Sequence, residues 1–178
     1  MAFFDRRPML RQQREEIRTE TVTSHMAIQL PIAIRKARKR EVRTQFAALI
    51  YRVRNGKIQI LLITSRRTGR WIIPKGWPML GKRPAEAAAQ EAWEEAGIRG
   101  KALPQCLGVF SYYKNTSIER SLPCLVMVYP LRAKRLEKDF PEKGQRKRKW
   151  FSQKKAAKLV KEPELVKIIE TFDPHVLK

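Results

Sequence analysis

Three glutamates, Glu91, Glu94 and Glu95, stand in a five-residue span just before Gly97. A helix advances about 100° per residue, so the three fall within an arc of roughly 100° on one helical face. Carboxylates gathered this way repel one another at neutral pH unless a cation sits among them. The rest of the chain is strongly basic, with 39 Lys and Arg against 17 Asp and Glu and a formal net charge of +22. A hard divalent cation that takes oxygen ligands is the most economical reason for an acidic knot in such a chain. A solvated helix whose glutamates pair with nearby lysines is the plainer reading, and the spacing alone favours it. The flanking sequence decides otherwise.

The knot needs a helix to carry it. Residues 84 to 96 are alanine-rich, with Pro84 in the first turn and Gly97 just past the end, the usual start and stop signals. Ala85, Ala88, Ala89, Ala92 and Ala96, with Trp93 beside them, form a side small enough to approach a sheet closely. The glutamates are expected on the flank facing out of that contact. Phe46–Val53 and Lys57–Thr64 are apolar runs joined through Asn55-Gly56, a strong hairpin signal. Trp71–Ile73 reads as a short strand ended by Pro74. Leu107–Tyr113, Leu122–Tyr129 and Trp150-Phe151 read as further strands, with Trp71 and Trp150 in the core. Ser152 can cap a helix through Val160. A last helix runs from about Pro163 to Phe172, with Leu165, Ile168, Ile169 and Phe172 at helical spacing. The sum is an α+β domain, a mixed sheet with one central helix and C-terminal helices.

At 178 residues with 43% hydrophobic side chains, the chain fits one domain plus an extension. No run approaches the ~18 apolar residues of a membrane span, and no secretory signal stands at the start. Cys106 and Cys124 lack metal-ligand spacing, so two buried free thiols in the reducing cytoplasm are expected. His25 and His175 have no second His or Cys nearby, which argues against a histidine metal site or triad. Residues 1–43 hold 11 basic and 5 acidic residues, against 28 and 12 in residues 44–178, so most of the excess belongs to the folded body. We read 1–43 as a basic extension, flexible or partly helical, and 44–178 as the domain. A basic body attracts polyanions: nucleic acid, anionic lipid or a heavily phosphorylated small molecule.

The stretch from Gly76 to Ile98 resembles the Nudix box. That pattern is Gly, five residues, Glu, seven residues, then Arg-Glu-aliphatic-x-Glu-Glu-x-Gly-aliphatic. Gly76, Glu91, Glu94, Glu95, Gly97 and Ile98 are in register. Arg66, the run Arg70–Pro74, Gly108–Phe110 and the run Arg146–Phe151 extend the likeness toward the diphosphoinositol polyphosphate phosphohydrolase branch. Two positions depart. Lys82 stands for the first glutamate of the pattern and Gln90 for its arginine, which in the family helps orient a catalytic carboxylate. Gln90 offers only neutral hydrogen bonds in its place.

The resemblance implies an αβα sandwich with a mixed sheet and hydrolysis of a phosphoanhydride with Mg²⁺ or Mn²⁺ as cofactor. It implies Glu91 and Glu95 as metal ligands, with the backbone carbonyl of Lys75 as a further one. It implies Glu94 as proton acceptor, with Glu91 also in a catalytic role. It implies Arg43, Ser65, Arg66 and Lys147 around a polyphosphorylated small-molecule substrate, Arg suiting phosphate through its planar fork. Trp77, beside the motif glycine, either stacks on a base or packs over the loop. Two further readings stand beside hydrolysis of a small anhydride: a Nudix-fold module that binds nucleotide or RNA without efficient catalysis, and an RNA-end pyrophosphohydrolase. Nucleic acid is thus a secondary partner, and the oligomeric state is open.

Overall fold

The computed structural model describes Gln29, residues 42–115 and residues 121–177. Apart from Gln29, Val42 and Arg43, the expected extension lies outside the described residues. The Gln29 side-chain amide exchanges hydrogen bonds with the backbone of Val109, donating to its carbonyl at 2.8 Å and accepting from its N–H at 2.7 Å.

The hairpin forms where the sequence places it. Strand β1 (Arg43–Arg54) turns through Asn55-Gly56 into β2 (Lys57–Thr64). Both turn residues have positive φ, 49° and 69°, as a two-residue hairpin turn of this hand requires. Strands β3 (Trp71–Ile72) and β4 (Lys75–Gly76) precede α1 (Pro84–Ala96). Then follow β5 (Ile98–Ala102), β6 (Gly108–Asn115), β7 (Ser121–Leu136) and β8 (Arg148–Ser152). Helices α2 (Gln153–Leu159) and α3 (Pro163–Thr171) close the domain. Ser152 caps α2 by accepting from the Lys155 N–H.

The sheet is mixed: β1 runs parallel to β7 and antiparallel to β2 and β4. The long β7 pairs β6 along its first part and β5 along its last. Alternation along β1 feeds two cores. Ala48 and Ile50 join Leu61, Ile63 and Leu131 against Ala85, Ala88, Ala92 and Ala96 of α1. Ala47, Leu49 and Tyr51 join Ile60 and Leu62 against Ala157, Leu165, Ile168 and Ile169 of α2 and α3. A strand covered on both faces must be apolar at every position, which explains the unbroken run Phe46–Tyr51.

The structure differs from the sequence reading in several places. Strands β4 and β5 are additions, and β7 runs on past Tyr129 to Leu136. The charged residues of β5 and late β7 break the apolar pattern, so their pairing left no local signal. Cys124 is buried as expected but Cys106 is exposed; both thiols are free. Trp71 and Trp150 are partly buried at the margins of the two cores. Among the described residues no helix is long and apolar enough to cross a membrane.

Gly97 ends α1 in the left-handed region, φ 63°. A Cβ there would come to 2.5 Å from Arg148 Nη1 and 2.6 Å from the Phe140 ring. Gly97→Ala is therefore expected to cost about 1–3 kcal/mol, from positive φ plus overpacking, read as a lower midpoint in urea unfolding.

Candidate active site

Helix α1 presents its glutamates toward β4 and toward the segment between β7 and β8. Arg83 precedes the helix, and its N–H donates to Glu86 Oε2 at 2.9 Å, fixing the first turn. At the other end the Gly97 N–H closes on the Ala92 and Trp93 carbonyls. The last two turns, which hold all three glutamates, are therefore rigidly bounded.

Glu95 corrects the expectation of an outward-facing flank: it is 8% exposed. Its Oε2 accepts the Lys75 N–H at 3.1 Å, and its Oε1 is ion-paired with Arg146 Nη2. Burial raises the Glu95 pKa, against the opposing pull of Arg146, Lys75 and the Lys75 N–H bond. Lys75 faces Ala47 on β1 between the bonded rungs at Phe46 and Ala48. In an antiparallel ladder such a residue turns its N–H and C=O away from its partner strand, here toward α1.

Glu91 lies against Gly76, so closely that a Cβ on Gly76 would overlap its carboxylate. A side chain at position 76 would therefore push the Glu91 carboxylate out of this seat. No hydrogen bond or ion pair to the Glu91 carboxylate is formed among the described residues. Its pKa is pushed up to about 7, first by burial and then by Glu95, Glu94 and Glu142, with Lys75 pulling weakly the other way. Glu94 is half-buried and accepts a 2.6 Å hydrogen bond from Gln90 Nε2. The neutral contact expected of Gln90 is thus formed.

Two members of the site escaped the sequence reading. Arg146 is buried to 6% side-chain exposure. Besides Glu95 it binds Glu142 Oε2 through Nε at 2.6 Å and the Thr64 carbonyl through Nη1 at 3.1 Å. Glu142 brings a fourth carboxylate, and its N–H donates to the Glu94 carbonyl at 3.0 Å. Arg146 lies in a run of four cations, 146 to 149, and no local rule says which of them turns inward. Glu142 lies in a turn-rich loop with no periodicity.

The expected substrate-binding residues divide in two. Ser65, Arg66 and Lys147 gather at the end of β2. Ser65 Oγ contacts Thr68 Oγ1 at 2.6 Å. Arg66, its side chain 57% exposed, reaches Glu142 at 3.3 Å and Gln145 at 3.3 Å. Lys147 has an exposed side chain and a backbone N–H bonded to Thr64 Oγ1. Arg43 stands apart at the start of β1, exposed, three residues before Phe46, the partner of Gly76. Trp77 is 39% exposed, with Lys114 Nζ 4.8 Å from its ring centroid. Lys82 is exposed in the turn before α1.

The oxygen donors near one another are the carboxylates of Glu91, Glu94, Glu95 and Glu142 and the Lys75 carbonyl side of β4. That chemistry, with Glu91 pressed against a glycine and its pKa raised first by burial and then by neighbouring carboxylates, fits a hard divalent cation. Among the described residues no three acidic, His or Cys side chains converge as a metal cluster. Arg146 draws Glu95 one way and Gln90 draws Glu94 another.

A closely bounded glutamate helix laid against a glycine strand on a two-core mixed sheet defines a class, and sequence comparison identifies it. The NUDIX domain family model matches residues 43–172, and the chain belongs to the Nudix family. It is 31% identical over 121 residues to Nudix hydrolase 13, mitochondrial, of Arabidopsis thaliana, covering 65% of this chain and 60% of that protein. It is 33% identical over 116 residues to human diphosphoinositol polyphosphate phosphohydrolase 3-alpha, covering 64% and 66%. The chain thus spans about three fifths of the length of its plant relative. Among solved structures, the C. elegans Ap4A hydrolase matches with TM-score 0.52 at 22% identity, covering 74% of this chain and 96% of that one. The E. coli dihydroneopterin triphosphate pyrophosphohydrolase matches with TM-score 0.53 at 18% identity, covering 72% and 93%. These two establish the shared fold.

Two outcomes test the geometry. Arg146→Met leaves Glu95 without its guanidinium and Glu142 with only the exposed Arg66, and is expected to cost about 3–5 kcal/mol in denaturant unfolding. For Glu91, the folded pKa of about 7 lies above the ordinary 4.5. The folded state then holds more protons than the unfolded state between those values, so stability falls as pH rises through that window. In chelator, Glu91→Gln should flatten that slope. At pH 8 it should exceed the parent by about 1 kcal/mol, discounted for partial exposure, or about 2–4 °C in Tm.

Proposed function

We propose that residues 44–178 form a divalent-metal-dependent hydrolase of phosphoanhydride bonds in a polyphosphorylated small molecule. The observation that carries this reading is the Glu91 carboxylate, seated against Gly76 among Glu94, Glu95 and Glu142 with its pKa raised to about 7. A carboxylate with no bonded partner among the described residues, set beside three others inside a cationic protein, suits a bound dication. Glu91 and Glu95, with the Lys75 carbonyl, would hold Mg²⁺ or Mn²⁺. When bound, the ion would neutralise phosphate charge and acidify bound water.

The chain's own residues supply the rest. Glu94, half-buried and fixed by Gln90, takes the proton of the attacking water. The water oxygen bonds to phosphorus, the bridging P–O bond breaks, and the electron pair leaves with the departing phosphate. Glu91, its pKa raised by burial and then by its carboxylate neighbours, would serve as metal ligand and as electrostatic partner of Glu94. Arg146 locks Glu95 and keeps the loop carrying Glu142 against α1. Ser65, Arg66 and Lys147 at one side, and Arg43 at the other, draw in the polyphosphate. Arg66 suits this because more than half of its side chain remains exposed.

The substrate class we assign is a dinucleoside polyphosphate, a nucleoside-diphosphate-linked compound or an inositol pyrophosphate. The human relative is named for a diphosphoinositol polyphosphate and the worm protein for Ap4A. Both cysteines are free, which suits a reducing compartment, and we assign the cytoplasm.

The purified full chain with Mg²⁺ or Mn²⁺ should release phosphate or a nucleotide from at least one anhydride of these classes, and chelator should stop it. Glu94→Gln should lower kcat by about 10²–10⁴ while leaving the Tm within a few degrees. No turnover of any anhydride with either metal would overturn the proposal and leave a Nudix-fold binding module.

A further inference from the structure

A second cationic feature lies on the sheet itself. The end strand β5 and the last part of β7 are paired so that like charges face each other. Arg99 is the partner of Arg135, and Lys101 is the partner of Arg132. All four are exposed, as is Lys134 between them. Like charges directly opposite on adjacent strands are destabilising. Residues 98–102 and 131–138 carry six Lys and Arg against a single acid, Glu137, which is ion-paired to Arg135.

Protection of an open sheet edge accounts for only part of this. Lysine on an end strand does prevent edge-to-edge pairing, which covers Arg99 and Lys101. It does not cover Arg132, whose strand has β5 on one side and β1 on the other, with Tyr51 of β1 as its partner there. Solubility does not require opposed cations either, since the same charges placed out of register would serve equally. The register itself points to a ligand that interleaves negative charge between the rungs.

We propose that this β5–β7 ladder is a binding surface for the phosphodiester backbone of a nucleic acid. Strand geometry spaces its cations about 5 Å across the rungs and about 7 Å along each strand. A nucleic acid backbone offers a comparably dense line of charge. A bilayer rewards insertion of aromatic rings at its interface. Here the indole beside the ladder is covered: the Arg99 guanidinium lies 4.1 Å from the Trp93 ring centroid. The Lys101–Arg132 rung lies away from the carboxylates. Along β1, Ala47 pairs Lys75 and Tyr51 pairs Arg132, four residues or about 13 Å apart.

The test is a fluorescence-anisotropy titration of the full chain with labelled single-stranded RNA, and with DNA of the same sequence, across a salt series. The variant K101Q/R132Q/K134Q is compared with K154Q/K155Q/K158Q, which removes the same charge from exposed positions on α2. The ladder variant should weaken binding by about tenfold or more and reduce the salt slope by about 2, at roughly 0.7 for each phosphate no longer neutralised. The α2 variant should change neither by more than about twofold. The ladder variant should also keep a Tm no lower than the parent, because it relieves opposed charges, and should keep its hydrolysis of small anhydrides. Equal weakening by the two variants would overturn the proposal, showing attraction to net charge alone. It is also overturned if the ladder variant loses binding to phosphatidylserine vesicles while RNA and DNA binding stay intact.

Discussion

The Arg146 guanidinium joins three separate stretches of chain. It holds Glu95 on α1, Glu142 in the segment before it and the Thr64 carbonyl at the end of β2. Each partner lies on a different element, so the position of α1 relative to the sheet is tied to one buried side chain. A buried ion pair contributes less to net stability than its contacts suggest, because both charges lose water. Its value is in geometry. With each of its three nitrogens donating to a fixed acceptor, Arg146 leaves Glu95 little freedom to turn.

That constraint explains how the chain accommodates Gln90. A glutamine donates one neutral bond to Glu94 and cannot grip a carboxylate with a charged fork. The charged fork in this site reaches α1 from outside the helix, on the segment leading into β8. Glu91 is pressed on Gly76, with Glu94, Glu95 and Glu142 acting on it as like charges and Lys75 opposing them. The Glu91 carboxylate is therefore held near like charges by packing, while Glu95 and Glu142 are paired with Arg146.

The charge of the molecule is arranged at two scales. Near α1, cations are paired with carboxylates, Arg66 with Glu142 and Arg146 with Glu95, and beside α3 Arg70 is paired with Glu162. At the β5–β7 end the pattern changes to cation opposite cation. A uniform basic coat would give neither arrangement, so +22 is less informative than where the charges face one another.

Local pattern carried much of this molecule into view. The Asn55-Gly56 turn, the Pro84 and Gly97 limits of α1, the Ser152 cap and the apolar runs each depend on the conformational preference of a few adjacent residues, which a sequence displays directly. The spacing of Gly76, Glu91, Glu94 and Glu95 did the same for the candidate site. What the sequence could not show depends on contacts between distant residues. The burial of Glu95, the inward turn of Arg146 rather than Lys147, the approach of Glu142 and the opposed cations of β5 and β7 all arise from register and packing between segments far apart in the chain. Periodicity is silent there, because a charged residue looks alike whether its partner is water or a buried carboxylate. Only the folded chain decides which it meets.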